Sequence, residues 1–402
     1  MSAPPVPDPK RVDETVSRFL RRRADDAGAF AGAVLLVTQR DAVVIEAAYG
    51  HAELFDSRGE RRPDPRPMTT DALFDLASLT KVVATATLAA VLFEEGVVAP
   101  QDPLCSLLPV FDRPEKRDVL LVDLLTHSSG LPNWLPLYLF VERAEEAIEM
   151  IASLPGAYPR GRQRVYSDVN FMVLGRGLEV AAGQTLQRLF QDRIARPLGL
   201  ERAGYRPPAA WRHACAATSL GNRAEERMCV ERPFVPRPTR LPADLPGWRR
   251  HVLVGEVNDA NAHHVFDGVA GHAGLFGTAR DLSRLAASLL ASLSGCGSGL
   301  LRPDTAHFVT TPKVTPGQGL GWWTNRVDAS PRTFGHRGFT GTQLFVDPRH
   351  DLVVVLLTNR VHALPPYAEP EVFSGPIVAA VYRELGLATG VVVDPWASQG
   401  TE

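Results

Sequence analysis

The chain has 402 residues, 45% of them hydrophobic and 22% charged, and its 43 basic and 45 acidic side chains leave a net charge of −2. That is the composition of an ordinary soluble globular protein of two or three domains, or of one large domain with an insertion. It excludes a polybasic nucleic-acid or membrane-surface protein, and no run of 18 apolar residues offers a membrane span.

The first ten residues are proline-rich and polar and read as disordered; lacking the apolar core of a signal peptide, they suggest a cytoplasmic protein. Val12 to Ala27 carries apolar residues at helical spacing and predicts an amphipathic helix. Two β-rich runs around Gln39-Arg-Asp41, spanning Ala31 to Gly50, predict a hairpin. The charged, proline-rich stretch Arg58 to Pro67 reads as a loop. A helix follows from Ser78 to Glu95, ended by Gly96.

From residue 100 to about 260 helical stretches (119–126, 141–153, 169–182, 186–194) alternate with turns, and Pro233 to Pro246 reads as a long irregular loop. Thr278-Ala-Arg-Asp281 opens another helix with a capping-box pattern, running to about Leu293. Strand signals return over 319–325, 341–346 and 352–358, and Ile377 to Leu385 predicts a closing helix. The order predicts an α+β fold. An antiparallel sheet is built from N- and C-terminal strands and flanked by helices, with an inserted, mostly helical lobe. The expected organisation is a tail and helix over 1–28, a sheet domain over 29–99 and 262–402, and a helical lobe over 100–261. A ligand is expected in the cleft between lobes.

Three segments carry candidate chemistry. In Ser78-Leu-Thr-Lys81 a hydroxyl and an amine lie on one helical face, and a lysine of lowered pKa could take or relay the serine's proton. A capping serine with a solvated lysine would give the same pattern. In Tyr166-Ser-Asp168 a phenol beside an ammonium group could serve as general base, although a helix cap with a packed tyrosine also fits. In Gly335-His-Arg-Gly338-Phe339 a glycine on an edge strand lets a ligand approach, and a backbone N–H there could join that of Ser78 in an oxyanion hole; a glycine-rich turn is the plainer alternative.

The order and spacing of the three resemble the penicillin-recognising serine hydrolases: class C β-lactamases, D-alanyl-D-alanine peptidases and related esterases. Their pattern is Ser-x-x-Lys, then Tyr-x-Asn, then Lys-Thr-Gly or His-x-Gly. Asp123-Leu-Leu-Thr-His-Ser-Ser-Gly-Leu-Pro132 and Gly268-Val-Ala-Gly-His-Ala-Gly-Leu-Phe-Gly-Thr278 resemble the same family, and the likeness spans about residues 30 to 360. It implies a β-lactamase-like fold, Ser78 as acylated nucleophile, Lys81 and Tyr166 as its proton-handling partners, and an oxyanion hole from the N–H groups of Ser78 and Phe339. Asp168, His336, Gly338 and Phe339 would line the substrate.

Two departures stand out. Asp168 replaces an asparagine, putting negative charge beside the acyl chain, and His336 replaces the lysine that docks a penicillin or D-alanine carboxylate. Both favour an esterase, amidase or peptidase acting on a small ester, amide or lactam, with a peptidoglycan fragment as one substrate class, over an efficient β-lactamase. The alternatives are a true β-lactamase or DD-carboxypeptidase, or a binding or assembly protein of the same fold. No cofactor is implied. His263, His264 and His272 have no metal-ligand spacing, and the dispersed cysteines (Cys105, Cys215, Cys229, Cys296) read as buried reduced thiols.

Overall fold

The computed structural model describes residues 9–20, 28–231, 234–295, 299–313, 317–325, 330 and 332–387. Its centre is a seven-stranded antiparallel sheet drawing strands from both ends of the chain. They are β1 (Gly32–Gln39), β2 (Ala42–Phe55), β3 (Arg61–Pro67), β4 (Trp323–Thr324), β5 (Phe334–Arg337), β6 (Gln343–Asp347) and β7 (Leu352–Thr358), in the order β3-β2-β1-β7-β6-β5-β4. The two ends meet where β1 pairs with β7, Ala33 opposite Thr358 through Gln39 opposite Leu352. Both strands are continuous apolar runs because both faces of the sheet are covered.

One face receives α1 (Lys10–Leu20) and the closing helix α5 (Pro370–Glu384), burying Val12, Val16, Leu35, Phe373 and Ile377 together. The other face packs on α2 (Thr87–Glu94) and α4 (Ala279–Ser294), and this core continues into α3 (Asp168–Ala182) of the central segment. Each fully buried Val or Leu of these layers contributes roughly 1.5–3 kcal/mol. Among the described residues no helix is long and apolar enough to cross a membrane.

Several expectations are corrected. Arg61–Pro67, expected as loop, is the edge strand β3: an outer strand tolerates proline and charge, since one side of its ladder is unpaired. The expected strand 319–325 shrinks to Trp323–Thr324. The helix expected from Ser78 starts with a π-helical turn at Lys81–Ala86 before α2. Helix α1 spans Lys10–Leu20, while 21–27 lie outside the described residues. Cys215 is buried, but Cys105 and Cys229 are only partly so; all three are free thiols, and Cys296 lies outside the described residues.

A second, three-stranded sheet escapes the sequence patterns. Leu275–Gly277 lies between Phe74–Asp75 and Gly204–Tyr205, its Phe276 paired with both Asp75 and Gly204. It ties the segment leading into Ser78 to the glycine-rich loop that precedes α4.

Candidate active site

Ser78 sits on a turn held by its neighbours. The preceding residue, Ala77, has φ of +45°, a conformation that costs a non-glycine residue about 1–2 kcal/mol. Buried Asp75 stabilises it: Oδ1 accepts from the Ala77 N–H at 2.8 Å and Oδ2 from the Asn258 N–H at 2.6 Å. Burial pushes the Asp75 carboxyl up to about 6 in spite of these two donors.

The segment after β5 is fastened to the same turn. Thr340 Oγ1 donates to the Asp75 carbonyl at 2.9 Å, Thr342 Oγ1 to the Leu76 carbonyl at 3.0 Å, and the Gly338 N–H to the Thr342 carbonyl at 2.7 Å. Gly338 must be glycine, since a Cβ there would lie 2.3 Å from Thr342 Oγ1 and 2.6 Å from the Leu76 carbonyl oxygen. Among the described residues the N–H groups of Ser78 and Phe339 find no protein acceptor, leaving both available to an oxyanion.

Lys81, fully buried, reaches three oxygens. Its Nζ donates to Ser78 Oγ at 2.9 Å, to Asp168 Oδ1 at 2.7 Å and to the His272 carbonyl at 3.4 Å. Burial by itself would lower its pKa, but the Asp168 carboxylate and the Tyr166 phenol outweigh burial and raise it. The lowered lysine pKa that would have made it a free base is therefore not found: Lys81 is an ammonium group. Asp168 is its direct counter-ion, joined through Lys81 to Ser78.

Ser167 caps α3 through its Oγ, which accepts from the Asn170 N–H at 3.0 Å, so Tyr166 and Asp168 flank the helix start. The Tyr166 ring lies 4.9 Å from Lys81 Nζ, and both Lys81 and Ser78 pull its phenol's pKa down. Burial raises its pKa above the ordinary 10 against the opposing pull of Lys81, so it rests as a neutral phenol.

His336 is buried against Trp323 and Tyr166, with ring centroids at 4.5 and 5.8 Å. Its Nδ1 lies 2.7 Å from the Arg337 carbonyl, which can only accept, so Nδ1 carries a proton. Burial, with Lys81 nearby, drives its pKa well below the usual range, so the ring is neutral and Nε2 offers a lone pair. That nitrogen has no protein partner among the described residues.

Several residues of the cluster escaped the motif reading. His127, with φ of +58°, accepts the Ser167 N–H on Nδ1 at 3.0 Å and packs 4.7 Å from the Tyr166 ring. It lies in the Asp123–Pro132 stretch, which signalled a family likeness but no role. His272, considered only as a metal ligand, instead turns its carbonyl to Lys81. The loop carrying it is packed so closely that a Cβ on Gly271 would meet the Phe171 carbonyl oxygen at 2.0 Å, and Thr85 Oγ1 donates to the Gly271 carbonyl at 2.6 Å. Asp75, three residues before Ser78, had no pattern to mark it.

The sequence profile of the beta-lactamase family matches residues 16–373. The chain is 31% identical over 410 residues to the N-acetylmuramyl-L-alanine amidase of Bacillus subtilis (strain 168), covering 94% of this chain and 89% of that protein. It is 32% identical over 380 residues to a putative D-alanyl-D-alanine carboxypeptidase of Escherichia coli (strain K12), covering 87% and 83%. Similar solved structures include a penicillin-binding protein homolog from Caulobacter crescentus (TM-score 0.67, 21% identity, 94% of this chain and 98% of that one). A class C beta lactamase from Rhodobacter sphaeroides is another (TM-score 0.64, 20% identity, 94% and 98%). With a serine, a lysine and a tyrosine gathered in a β-lactamase-like fold, the chain belongs to the beta-lactamase family and is a serine hydrolase.

Proposed function

We propose that the protein hydrolyses an amide or ester of a small, peptidoglycan-derived molecule through an acyl-enzyme on Ser78, and that it is a poor β-lactamase. The observation that carries this is the connected set Ser78–Lys81–Asp168, with the Tyr166 ring beside Lys81 and a neutral His336 where a carboxylate-docking lysine would stand.

Ser78 Oγ attacks the carbonyl carbon, and the carbonyl oxygen takes the electron pair against the N–H groups of Ser78 and Phe339. With Lys81 an ammonium and Tyr166 a phenol at rest, neither is an empty base. The serine proton therefore passes to the Tyr166 oxygen as the phenol's own proton moves to Lys81 and a lysine proton moves to Asp168. Asp168 is the terminal acceptor; the phenol and the ammonium end as they began. Collapse of the tetrahedral adduct breaks the C–N or C–O bond, and the same relay run backwards protonates the leaving group. Water then takes the place of serine for deacylation.

The lone pair on His336 Nε2 favours a substrate that brings an N–H or O–H to that side, and gives little to a carboxylate. The names of the amidase and carboxypeptidase relatives make a muropeptide amide the first candidate. The test is intact-mass spectrometry after incubation with muropeptides, nitrophenyl esters and nitrocefin. An acyl adduct on Ser78 that is absent from Ser78→Ala is expected with the amide or ester donors. Turnover that survives Ser78→Ala, or nitrocefin as the best donor, refutes the reading. A binding or assembly role has no separate observation in its favour.

A further inference from the structure

The oxyanion donor on Phe339 has a support that the proton relay does not use. The Gly341 N–H donates to the Gly338 carbonyl at 2.9 Å, closing a tight turn with Phe339 and Thr340 at its centre. The N–H of the first central residue takes no part in the hydrogen bond of such a turn, so its aim depends on what grips the residue from outside. Arg360, in the short helical turn Arg360–His362 that follows β7, supplies that grip. It is 2% exposed, and its Nε and Nη2 both donate to the Phe339 carbonyl, at 2.9 and 2.6 Å. Its backbone N–H donates to the Thr340 carbonyl at 3.0 Å, and its guanidinium carbon lies 4.8 Å from the centre of the Phe339 ring.

The arginine stands on a fixed platform. Next to it, Asn359 Oδ1 accepts from the Gly32 N–H at 2.6 Å and Nδ2 donates to the His51 carbonyl at 3.1 Å, which fastens the end of β7 to β1 and β2. Gly341, with φ of +94°, lets the turn come close: a Cβ there would lie 2.1 Å from Thr358 Oγ1 and 2.7 Å from Arg360 Cβ.

Buried guanidinium groups normally have a counter-ion. Among the described residues Arg360 forms no ion pair, and its third nitrogen, Nη1, donates to the Ala368 carbonyl at 2.9 Å. Burial lowers its pKa against the pull of Glu369 and Glu371, and Glu371 is itself bound to Arg337 at 2.6 Å. A guanidinium keeps its charge in a protein all the same. Fastening two carbonyls calls only for neutral donors, whereas an unpaired cation on the Phe339 carbonyl suits negative charge that forms at the N–H of the same residue. We propose that Arg360 is a positioning residue of the oxyanion hole: its fork fixes the aim of the Phe339 N–H, and its unpaired charge favours the oxyanion bound there. The proposal deepens the reading of Ser78 as nucleophile and Phe339 as oxyanion donor, and rests on it.

The test pairs kinetics on a nitrophenyl ester with the affinity of phenylboronic acid. The serine oxygen adds to boron, and the tetrahedral adduct loads the oxyanion hole without turnover. Arg360→Met keeps the apolar stem but loses the fork and the charge. It is expected to lower kcat roughly 10- to 100-fold and to weaken the boronate by a similar factor, with KM changed by less than about threefold. Arg360→Lys keeps a charge without a fork and is expected to fall between. A merely structural arginine would lower Tm and leave the boronate affinity of the folded variant untouched. Wild-type kcat in Arg360→Met, a loss carried by KM alone, or a fall in kcat with unchanged boronate affinity overturns the proposal. Should Arg360→Met not fold, Arg360→Lys decides, and wild-type kcat and boronate affinity there overturn it. A wild type that forms no boronate adduct, or turnover that survives Ser78→Ala, sinks the nucleophile itself. That failure is distinct from an adduct that forms just as tightly without the arginine.

Discussion

Asp168→Asn separates a proton-accepting counter-ion from a mere substrate-binding side chain. The change keeps an oxygen where Oδ1 now sits, 2.7 Å from Lys81 Nζ, but removes the charge. Stripping one member from a fully buried ion pair costs about 3–5 kcal/mol. The Asp168 side chain is 21% exposed and an amide oxygen remains, so about 1–3 kcal/mol is the reasonable range here. That figure is a loss of stability; kcat at pH 7 falls separately, by roughly 100-fold, because the relay loses its terminal proton acceptor.

The pH profile carries the sign. In the wild type the raised Lys81 pKa means that the pair's stabilisation is whole below the lysine's unfolded pKa and fades as pH climbs through the native one. Without the carboxylate, burial dominates and the free amine forms at lower pH. Lys81 can then take the proton itself, so the variant's kcat recovers as pH rises. The assay is kcat against pH with a nitrophenyl ester, alongside thermal unfolding. Wild-type kcat at pH 7 with an unshifted profile would refute the relay and return Asp168 to a substrate-binding role.

Gly271→Ala drives a Cβ into the Phe171 carbonyl and displaces the loop that presents His272 to Lys81; at a cost of about 1–3 kcal/mol, Tm is expected to drop by roughly 1–4 °C, and an unchanged Tm would show that the loop is looser than described. With a native carboxyl near 6 against an ordinary 3.8, Asp75 holds a proton between about pH 4 and 6 that the unfolded chain has lost. Its contribution to stability therefore falls by roughly 3 kcal/mol as pH rises through that window, and Asp75→Asn flattens the slope in denaturant titrations. His336→Lys turns a lone pair into a cation; benzylpenicillin labelling of Ser78, followed by intact mass, should rise by about tenfold, and no gain would mean that the imidazole does not govern carboxylate docking.

Much of the fold was legible because it follows from local rules. The runs of β1 and β7, the Ser167 and Thr278 caps and the apolar spacing of α3 each express a period or a hydrogen bond within a few residues. Edge strand β3 was hidden because its prolines and charges suit a loop equally well, and only pairing with β2 made it a strand. The π turn at Lys81–Ala86 was hidden because its sequence, Lys-Val-Val-Ala-Thr-Ala, has nothing to distinguish it from an α-helix.

The site divides in the same way. Ser78, Lys81, Tyr166 and His336 stood out by type, order and spacing. Their charge states did not, since a pKa depends on what surrounds a group in space. Lys81 stays charged because Asp168, 87 positions along the chain, lies 2.7 Å away, and His336 stays neutral because it is buried with Lys81 nearby. The sequence alone determined which functional groups exist and which short elements carry them. Tertiary structure decided which carboxylate meets the lysine and which imidazole nitrogen keeps its lone pair, because desolvation and Coulomb energy depend on distances that chain order does not encode.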